Sequence, residues 1–383
     1  MDNFTLKEKL LLFFKKETVL CVAAVLAFIS CFAVPPSRDY IGYINFSTLA
    51  LLFSLMAVVA GMRSIGVFDM LSSRLLRLAH GYTSVTLILV LLCFFLSMFL
   101  TNDVTLVTLV PFTILVFTGM HMEDHLILPL VLETIAANLG SMLLPFGNPQ
   151  NLFLYSHYSF QMKDFVLLML PYAGVSLVLV ILCTVFGTRL SMRGNNAASI
   201  ASAADEVSSS INVPLFLIYL ILFLISIASV AHLIDWRIAF VIVLIAVLIV
   251  DRRLLGKVDY SLLITFVFFF IFIGNLGNIP VFRNWLASIL TGREVLVSVI
   301  TSQFASNVPA AILLSGFTDY GEGLIIGTNM GGLGTLIASM ASLITYKFFA
   351  AKCPEKKGAY LLCFTALNVC MLLLLFGFYM LVR

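Results

Sequence analysis

Charge is what this chain has least of: 11% of its 383 residues are Asp, Glu, Lys or Arg, against 61% that are hydrophobic. A soluble domain needs about 25% charged residues to cover its surface, so that class is excluded. Cysteine is sparse too, at 21, 31, 93, 183, 353, 363 and 370, mostly inside apolar runs and without Cys-x-x-Cys or Cys/His spacing. These read as small buried hydrophobes, which argues against a disulfide framework or a structural metal. There is no HExxH, no GxSxG and no second aspartate recognisable as facing Asp103, so no enzyme and no cofactor is expected. No basic stripe with interleaved aromatics occurs, and nucleic acid is not an expected partner. The histidines at 80, 121, 125, 157 and 232 fall near the ends of apolar runs, where an interfacial role is expected.

What remains is apolar sequence in membrane-length blocks, rich in its 34 Phe. A crossing helix needs roughly 20 apolar residues. Spans are expected near 18–34, 41–60, 125–157, 164–187, 213–232, 237–250, 259–280, 321–350 and 358–382. The chain therefore reads as an all-α polytopic membrane protein of about nine transmembrane helices in the bilayer, its first span uncleaved. Residues 83–118 and 293–317 carry a polar tripeptide inside apolar sequence. Each half is taken as too short to cross alone, so both read as re-entrant hairpins. The stretches 125–157 and 321–350 hold Gly, Asn and Pro clusters and read as helices broken in mid-membrane. Residues 1–189 form an N-terminal half, 190–212 a Ser/Ala/Asn-rich cytoplasmic linker, and 213–383 a C-terminal half.

With the N-terminus inside, only Arg38, Lys163, Arg237, Arg283, Arg293 and Arg383 of the 22 Lys and Arg face outside. That bias follows the positive-inside rule and predicts a multi-pass protein of the inner (plasma) membrane with a cytoplasmic N-terminus.

The two halves repeat. Asn45 leads through an apolar run to Phe68, and Asp259 leads to Phe282 with the same 23-residue separation. After each comes an amphipathic stretch, a hairpin, a broken helix and a closing span. In 64–79, Phe68, Leu71, Leu75 and Leu78 share a face, with Ser72, Ser73, Arg74 and Arg77 elsewhere; in 281–290 Phe282, Trp285 and Ile289 do likewise. Both stretches fit interfacial helices. An odd number of crossings separates the two units, which makes the second inverted.

Polar islands sit at matching places. The first contains Thr101-Asn102-Asp103, Asn138-Leu139-Gly140-Ser141 and Gly147-Asn148-Pro149-Gln150-Asn151; the second contains Ser306-Asn307-Val308 and Asn329-Met330-Gly331-Gly332-Leu333-Gly334-Thr335. In hydrocarbon an unpartnered polar group costs several kcal/mol, so matched islands point to a transport site. An Asn amide offers its oxygen to a cation and its NH₂ to an anion, and Asn102 and Asn307 suit a site where both meet. Broken helices add backbone NH groups for an anion and carbonyls for Na⁺. Substrate is expected at Asn102, Asn138, Ser141, Asn148, Ser306, Asn307, Asn329 and Thr335. Ion coupling is expected at Thr101, Asn102, Asp103, Gly140, Gly147, Asn307, Gly331 and Gly332, with Asn102 and Asp103 holding Na⁺ if Na⁺ is the ion. An ionised Asp103 at mid-membrane costs about 2.5–3.5 kcal/mol and calls for a cation or proton. Glu133 lies about 140° around the helix from Asn138. It is expected to be a structural hydrogen-bond or ion partner more than a proton relay.

This pattern of an Asn-containing hairpin tip, Asn-x-Gly-[Ser/Gly] and a Gly-Asn-Pro-Gln-Asn loop resembles the ion transporter superfamily. That group includes citrate and dicarboxylate transporters, arsenite/antimonite permeases and NhaD-type Na⁺/H⁺ antiporters. The resemblance implies a homodimer with a scaffold and a mobile region working as an elevator. It also places Thr101-Asn102-Asp103 and Ser306-Asn307-Val308 where carboxylate carriers have two Ser-Asn-Thr tips. Asp103 and Val308 depart from that pattern, and Asp103 pulls toward the arsenite and Na⁺/H⁺ members. The expected function is secondary active transport of a small anion, a carboxylate or inorganic oxyanion, coupled to Na⁺ or H⁺. Metalloid efflux and Na⁺/H⁺ exchange stay open as alternatives, and a channel less so.

Overall fold

The computed structural model describes residues 17–76, 81–191 and 212–382, and every regular element among them is helical. The linker at 192–211 lies outside the described residues, as do Lys7, Lys9, Lys15, Lys16, Arg77, Leu78, His80, Arg193 and Arg383. In chain order the helices are α1 Thr18–Ala33, α2 Asp39–Tyr43, α3 Phe46–Ser64, α4 Val67–Leu76, α5 Tyr82–Leu100 and α6 Asn102–Gly119. Next come α7 Ile127–Gly140, α8 Pro149–His157, α9 Met162–Ser191, α10 Val213–Val230, α11 Trp236–Asp251 and α12 Tyr260–Gly277. The chain closes with α13 Pro280–Leu290, α14 Glu294–Ala305, α15 Asn307–Ser315, α16 Gly321–Gly331, α17 Met340–Lys352 and α18 Lys357–Val382. Seven described helices are long and apolar enough to cross a bilayer, or eight if the bent pair α13 and α14 counts as one span.

Local chemistry sets the corresponding starts in the two halves. Asn45 Oδ1 accepts from Thr48 N and caps α3, and Asp259 Oδ1 accepts from Leu262 N and caps α12. From those caps onward, α3–α9 and α12–α18 follow one another as the same series of seven helices. Their contacts match as well. The first hairpin arm lies on the first part of the broken helix in each half, α5 on α7 and α14 on α16. The second arms cross over: α6 lies on α17, and α15 on α8. Around this inner group, α1 packs on α12, while α3 packs on α10 and α11.

Both predicted breaks are present, at 141–148 and 332–339. The first hairpin differs from its expectation. Its arms are 19 and 18 residues, about 28 and 27 Å at 1.5 Å per residue, so each is long enough to cross. The helix resumes directly after Thr101 because the Asn102 side chain accepts the Asp103 amide, which removes the need for a longer polar turn. The second hairpin, with arms of 12 and 9 residues, keeps the short form.

The interfacial stretches both form helices. Helix α13 turns 111° from α14 and buries Leu286 and Leu290 against the protein, with Phe282 half-buried and Trp285 exposed. In α4 Phe68 is buried as expected, yet Ser72 is buried beside it, its hydroxyl donating to the Phe68 carbonyl.

Candidate transport site

Two tight tips hold the site. Thr101 has φ 74° and ψ 148°, and Ser306 has φ 71° and ψ 157°. This region of backbone space is essentially glycine-only and costs of order 1–3 kcal/mol for other residues. The same strain at both tips lets one residue reverse the chain between two helices. The following asparagines are tied down identically. Asn102 N donates to Gly147 O at 3.2 Å, and Asn307 N donates to Ala338 O at 3.0 Å. Each Asn oxygen accepts the next amide, Asp103 N at 3.0 Å and Val308 N at 2.9 Å. The tips are thus stitched by backbone to the breaks of their own halves.

Two glycines make that approach feasible. A Cβ at Gly140 would run into the Phe94 carbonyl and stand 2.6 Å from Ser97 Oγ, and one at Gly331 would stand 2.6 Å from Ser302 Oγ. Ser97 and Ser302 each precede their tip by four residues. These two glycines serve helix packing.

Between the halves, the breaks bond to each other. Asn148 Nδ2 donates to Asn329 Oδ1 and Ser339 Oγ donates to Asn138 Oδ1, both at 3.0 Å. Asn102 Nδ2 adds a bond to Asn138 Oδ1 at 2.9 Å, and Asn138 Nδ2 reaches Gly332 O at 3.5 Å. Asn329 Nδ2 donates to Asn151 Oδ1 at 2.6 Å, and Asn148 Nδ2 also reaches Ser141 Oγ at 3.2 Å. Hence Asn102, Asn138, Ser141, Asn148 and Asn329 form one buried network. Ser306 and Asn307, also buried, lie beside it: Ser306 Oγ reaches Ala338 O at 3.4 Å, and Asn307 Nδ2 stands close to Gly332, whose carbonyl accepts from Asn138. Thr335 stands apart in an exposed turn, its hydroxyl donating to Gln303 O at 3.0 Å.

Four helix N-termini, those of α6, α8, α15 and α17, therefore start within this network, and the C-termini of α5, α7, α14 and α16 end in it. The N-termini favour an anion and the C-terminal carbonyls a cation. Asp103 is half-buried in the first turn of α6, and its Oδ1 has no hydrogen-bond partner among the described residues. A cavity of about 70 Å³ lies against Thr101, Asp103, Asn148 and Pro149, closed by Met56 and Leu52 of α3 and by Asp259 at the start of α12. A second aspartate thus does share a space with Asp103, contrary to the sequence expectation. The 156 positions that separate the two in sequence hid this, and only the repeat position of Asp259 as counterpart of Asn45 marked it at all.

Sequence reasoning missed two further residues. Gln303 Nε2 donates to Gly331 O at 3.0 Å and Leu333 O at 2.9 Å, and its oxygen accepts Thr335 N at 2.9 Å. In the first half Asn151 does the equivalent work, donating to Ser141 O and Met142 O at 3.4 and 3.3 Å. Glu133 is fully buried and faces α6, where Thr113 Oγ1 donates to its Oε1 at 2.5 Å. It does not touch the asparagine network.

The chain matches the family described as Citrate transporter over residues 10–318. It belongs to the citrate transporter family. It is accordingly a multi-pass membrane transporter. Among its relatives, Uncharacterized transporter MJ0456 of Methanocaldococcus jannaschii is 30% identical over 313 residues, 79% of this chain and 81% of that protein. Inner membrane protein YbiR of Escherichia coli strain K12 is 29% identical over 335 residues, 86% of each. A transporter named arsB from Dictyostelium discoideum is 31% identical over 125 residues, 32% of this chain and 22% of that protein. In this chain the two tips and two breaks are the polar elements that bond to one another.

Proposed function

We propose that this protein is a secondary active transporter of a small anion, a carboxylate or an inorganic oxyanion, coupled to Na⁺ or H⁺ through Asp103. The observation that carries the reading is the convergence of four helix N-termini on one buried amide network, beside a carboxylate with an unpartnered oxygen. The N-termini supply positive potential for the anion without any buried arginine among the described residues. The carboxylate requires a cation or proton before an anion can sit nearby, so the ion binds first. Matching helix order and crossed hairpin contacts support inverted repeats, and with them an elevator motion of the inner group against α1, α3 and α10–α12. A homodimer in the plasma membrane with a cytoplasmic N-terminus completes the proposal.

A second reading is favoured by Asp259. Two acids on one 70 Å³ cavity suit a cation better than an anion, which points to Na⁺/H⁺ exchange or to efflux of a neutral metalloid. The separating experiment uses purified protein in liposomes with imposed Na⁺ or proton gradients and labelled citrate, sulfate, phosphate or arsenite. Gradient-driven accumulation of an anion supports symport. Proton flux driven by Na⁺ with none of these solutes moved supports exchange.

A further inference from the structure

A second and larger cavity, about 350 Å³, adjoins the first and shares Met56, Val104 and Asp259 with it. Its remaining polar lining is Arg63 and Ser64 at the end of α3 and Lys257 just before α12. Among the described residues neither cation forms an ion pair. Arg63 has a structural anchor. Pro111 has no N–H to give the carbonyl four residues back, and Arg63 Nη2 donates to that freed Val107 oxygen at 3.2 Å. The rest of the guanidinium fork stays available to an anion. The charged groups on the cavity are Arg63, Lys257 and Asp259, so cations outnumber acids at the wide end and the acids Asp259 and Asp103 stand at the narrow end.

The repeat supplies the comparison. Aligning Asn45 with Asp259 pairs Tyr43 with Lys257, Ser64 with Asn278 and Arg63 with Gly277. At that related mouth Asn278 Nδ2 donates to Tyr43 OH at 2.8 Å, and the Tyr43 ring lies against Gly274. One mouth is thus uncharged and bridged, while its counterpart is cationic and lines a cavity. Pseudo-symmetry alone does not call for this difference.

We propose that the larger cavity is an anion antechamber. Arg63 and Lys257 hold the carboxylate or oxyanion on one side of the membrane, and a cation seated between Asp103 and Asp259 lets it pass to the first hairpin tip. This rests on the anion reading given above and adds a second binding site to it, one-sided and outside the asparagine network. Clefts lined by one sign of charge raise local counter-ion concentration by about 10-fold or more.

The test places a reporter in the cavity. Ser64→Cys, in the full chain reconstituted in liposomes, is reacted with an anionic and a cationic thiosulfonate of equal size, and the parent's own cysteines supply the background. The antechamber predicts that adding Lys257→Gln and Arg63→Gln lowers the anionic-to-cationic rate ratio about 10-fold, while Arg63→Lys leaves it unchanged. It also predicts about a 10-fold rise in KM from that side for whichever of the anions citrate, sulfate or phosphate the wild type carries, with kcat kept and KM from the other side unmoved. Lys257→Gln alone guards against misfolding, because the Lys257 side chain makes no hydrogen bond among the described residues. A rate ratio unmoved by both substitutions, in a wild type that carries an anion, overturns the antechamber alone. A wild type that exchanges Na⁺ for H⁺ and carries none of these solutes overturns the anion reading, and the antechamber with it.

Discussion

Asn148 donates its side-chain amide to Asn329 at 3.0 Å, and Ser339, at the position equivalent to Asn148, donates to Asn138, at the position equivalent to Asn329, at 3.0 Å. Each broken helix is thus satisfied by the other half of the chain. The two halves cannot separate without leaving buried amides unpaired, at about 1–3 kcal/mol each. Asn148→Ala and Asn329→Ala are expected to lower thermal stability singly by that amount. In the double variant the losses should fall short of their sum by about 1 kcal/mol, because each single change already orphans the other partner. Strict additivity in a melting series would contradict the pairing.

The strained tips make an opposite prediction. Thr101→Gly and Ser306→Gly remove a Cβ from a backbone region that glycine occupies freely. Relief of about 1–3 kcal/mol exceeds the roughly 0.5–1 kcal/mol entropic cost of glycine, so both variants should melt higher than wild type in detergent, Ser306→Gly by less because it also loses the long Ser306 Oγ bond to Ala338 O. Lower melting of both would show that the conformation is not strained.

Close helix contact at the breaks predicts a ranking. Gly140→Ala forces its methyl against a backbone carbonyl and should cost about 1–3 kcal/mol. Gly331→Ala meets the Ser302 hydroxyl first and should cost less. Gly174→Ala, whose Cβ would meet nothing within 4 Å, should be neutral or stabilising by up to about 1 kcal/mol. Equal melting temperatures across the three would contradict the packing described.

Two exposed ion pairs tie the turn after the first hairpin to the end of α17 and the turn that follows it: Lys352–Glu123 at 2.9 Å and Lys356–Asp124 at 2.5 Å. The Lys352 hydrogen bond holds the Glu123 carboxyl below its ordinary value, and the Lys356 bond does the same for Asp124. Stability from the pairs is therefore present above about pH 4 and lost as pH falls through the depressed values. The Asp124 hydrogen bond raises Lys356, so its share is present below about pH 10.4 and lost only as pH rises through the raised value. Wild type should melt slightly above Lys352→Gln/Lys356→Gln at pH 7, with the gap closing near pH 3 and in high salt. A gap of the same size at both pH values would contradict this.

Much of the inner group was readable because membrane interiors punish unpaired polar atoms. Asn102, Asn138, Asn307 and Asn329 stand out in apolar sequence, and Pro149 forbids an unbroken helix there. The arm lengths of the first hairpin were not readable. Hydropathy measures apolar content, and the cap that Asn102 gives Asp103 lets α6 start with no loop. Nothing local marks Gln303, since its partners are backbone carbonyls about 30 residues away. Leu286 and Leu290 fill the protein side of α13 and leave Trp285 exposed, where an interfacial aromatic residue is favoured. That Asp103 and Asp259 line one cavity follows from the tertiary arrangement, which no local pattern encodes.

The most direct measurement is gradient-driven uptake into liposomes by wild type, Asn102→Ala, Asn307→Ala and Asp103→Asn, each shown to melt cooperatively. The account predicts that wild type accumulates an anion only with an imposed Na⁺ or proton gradient. Both Asn→Ala variants should lose at least about 10-fold in rate, and Asp103→Asn should lose or change its dependence on the ion. Unaltered, ion-coupled uptake in all three variants would contradict the assignment of the hairpin tips as the transport site.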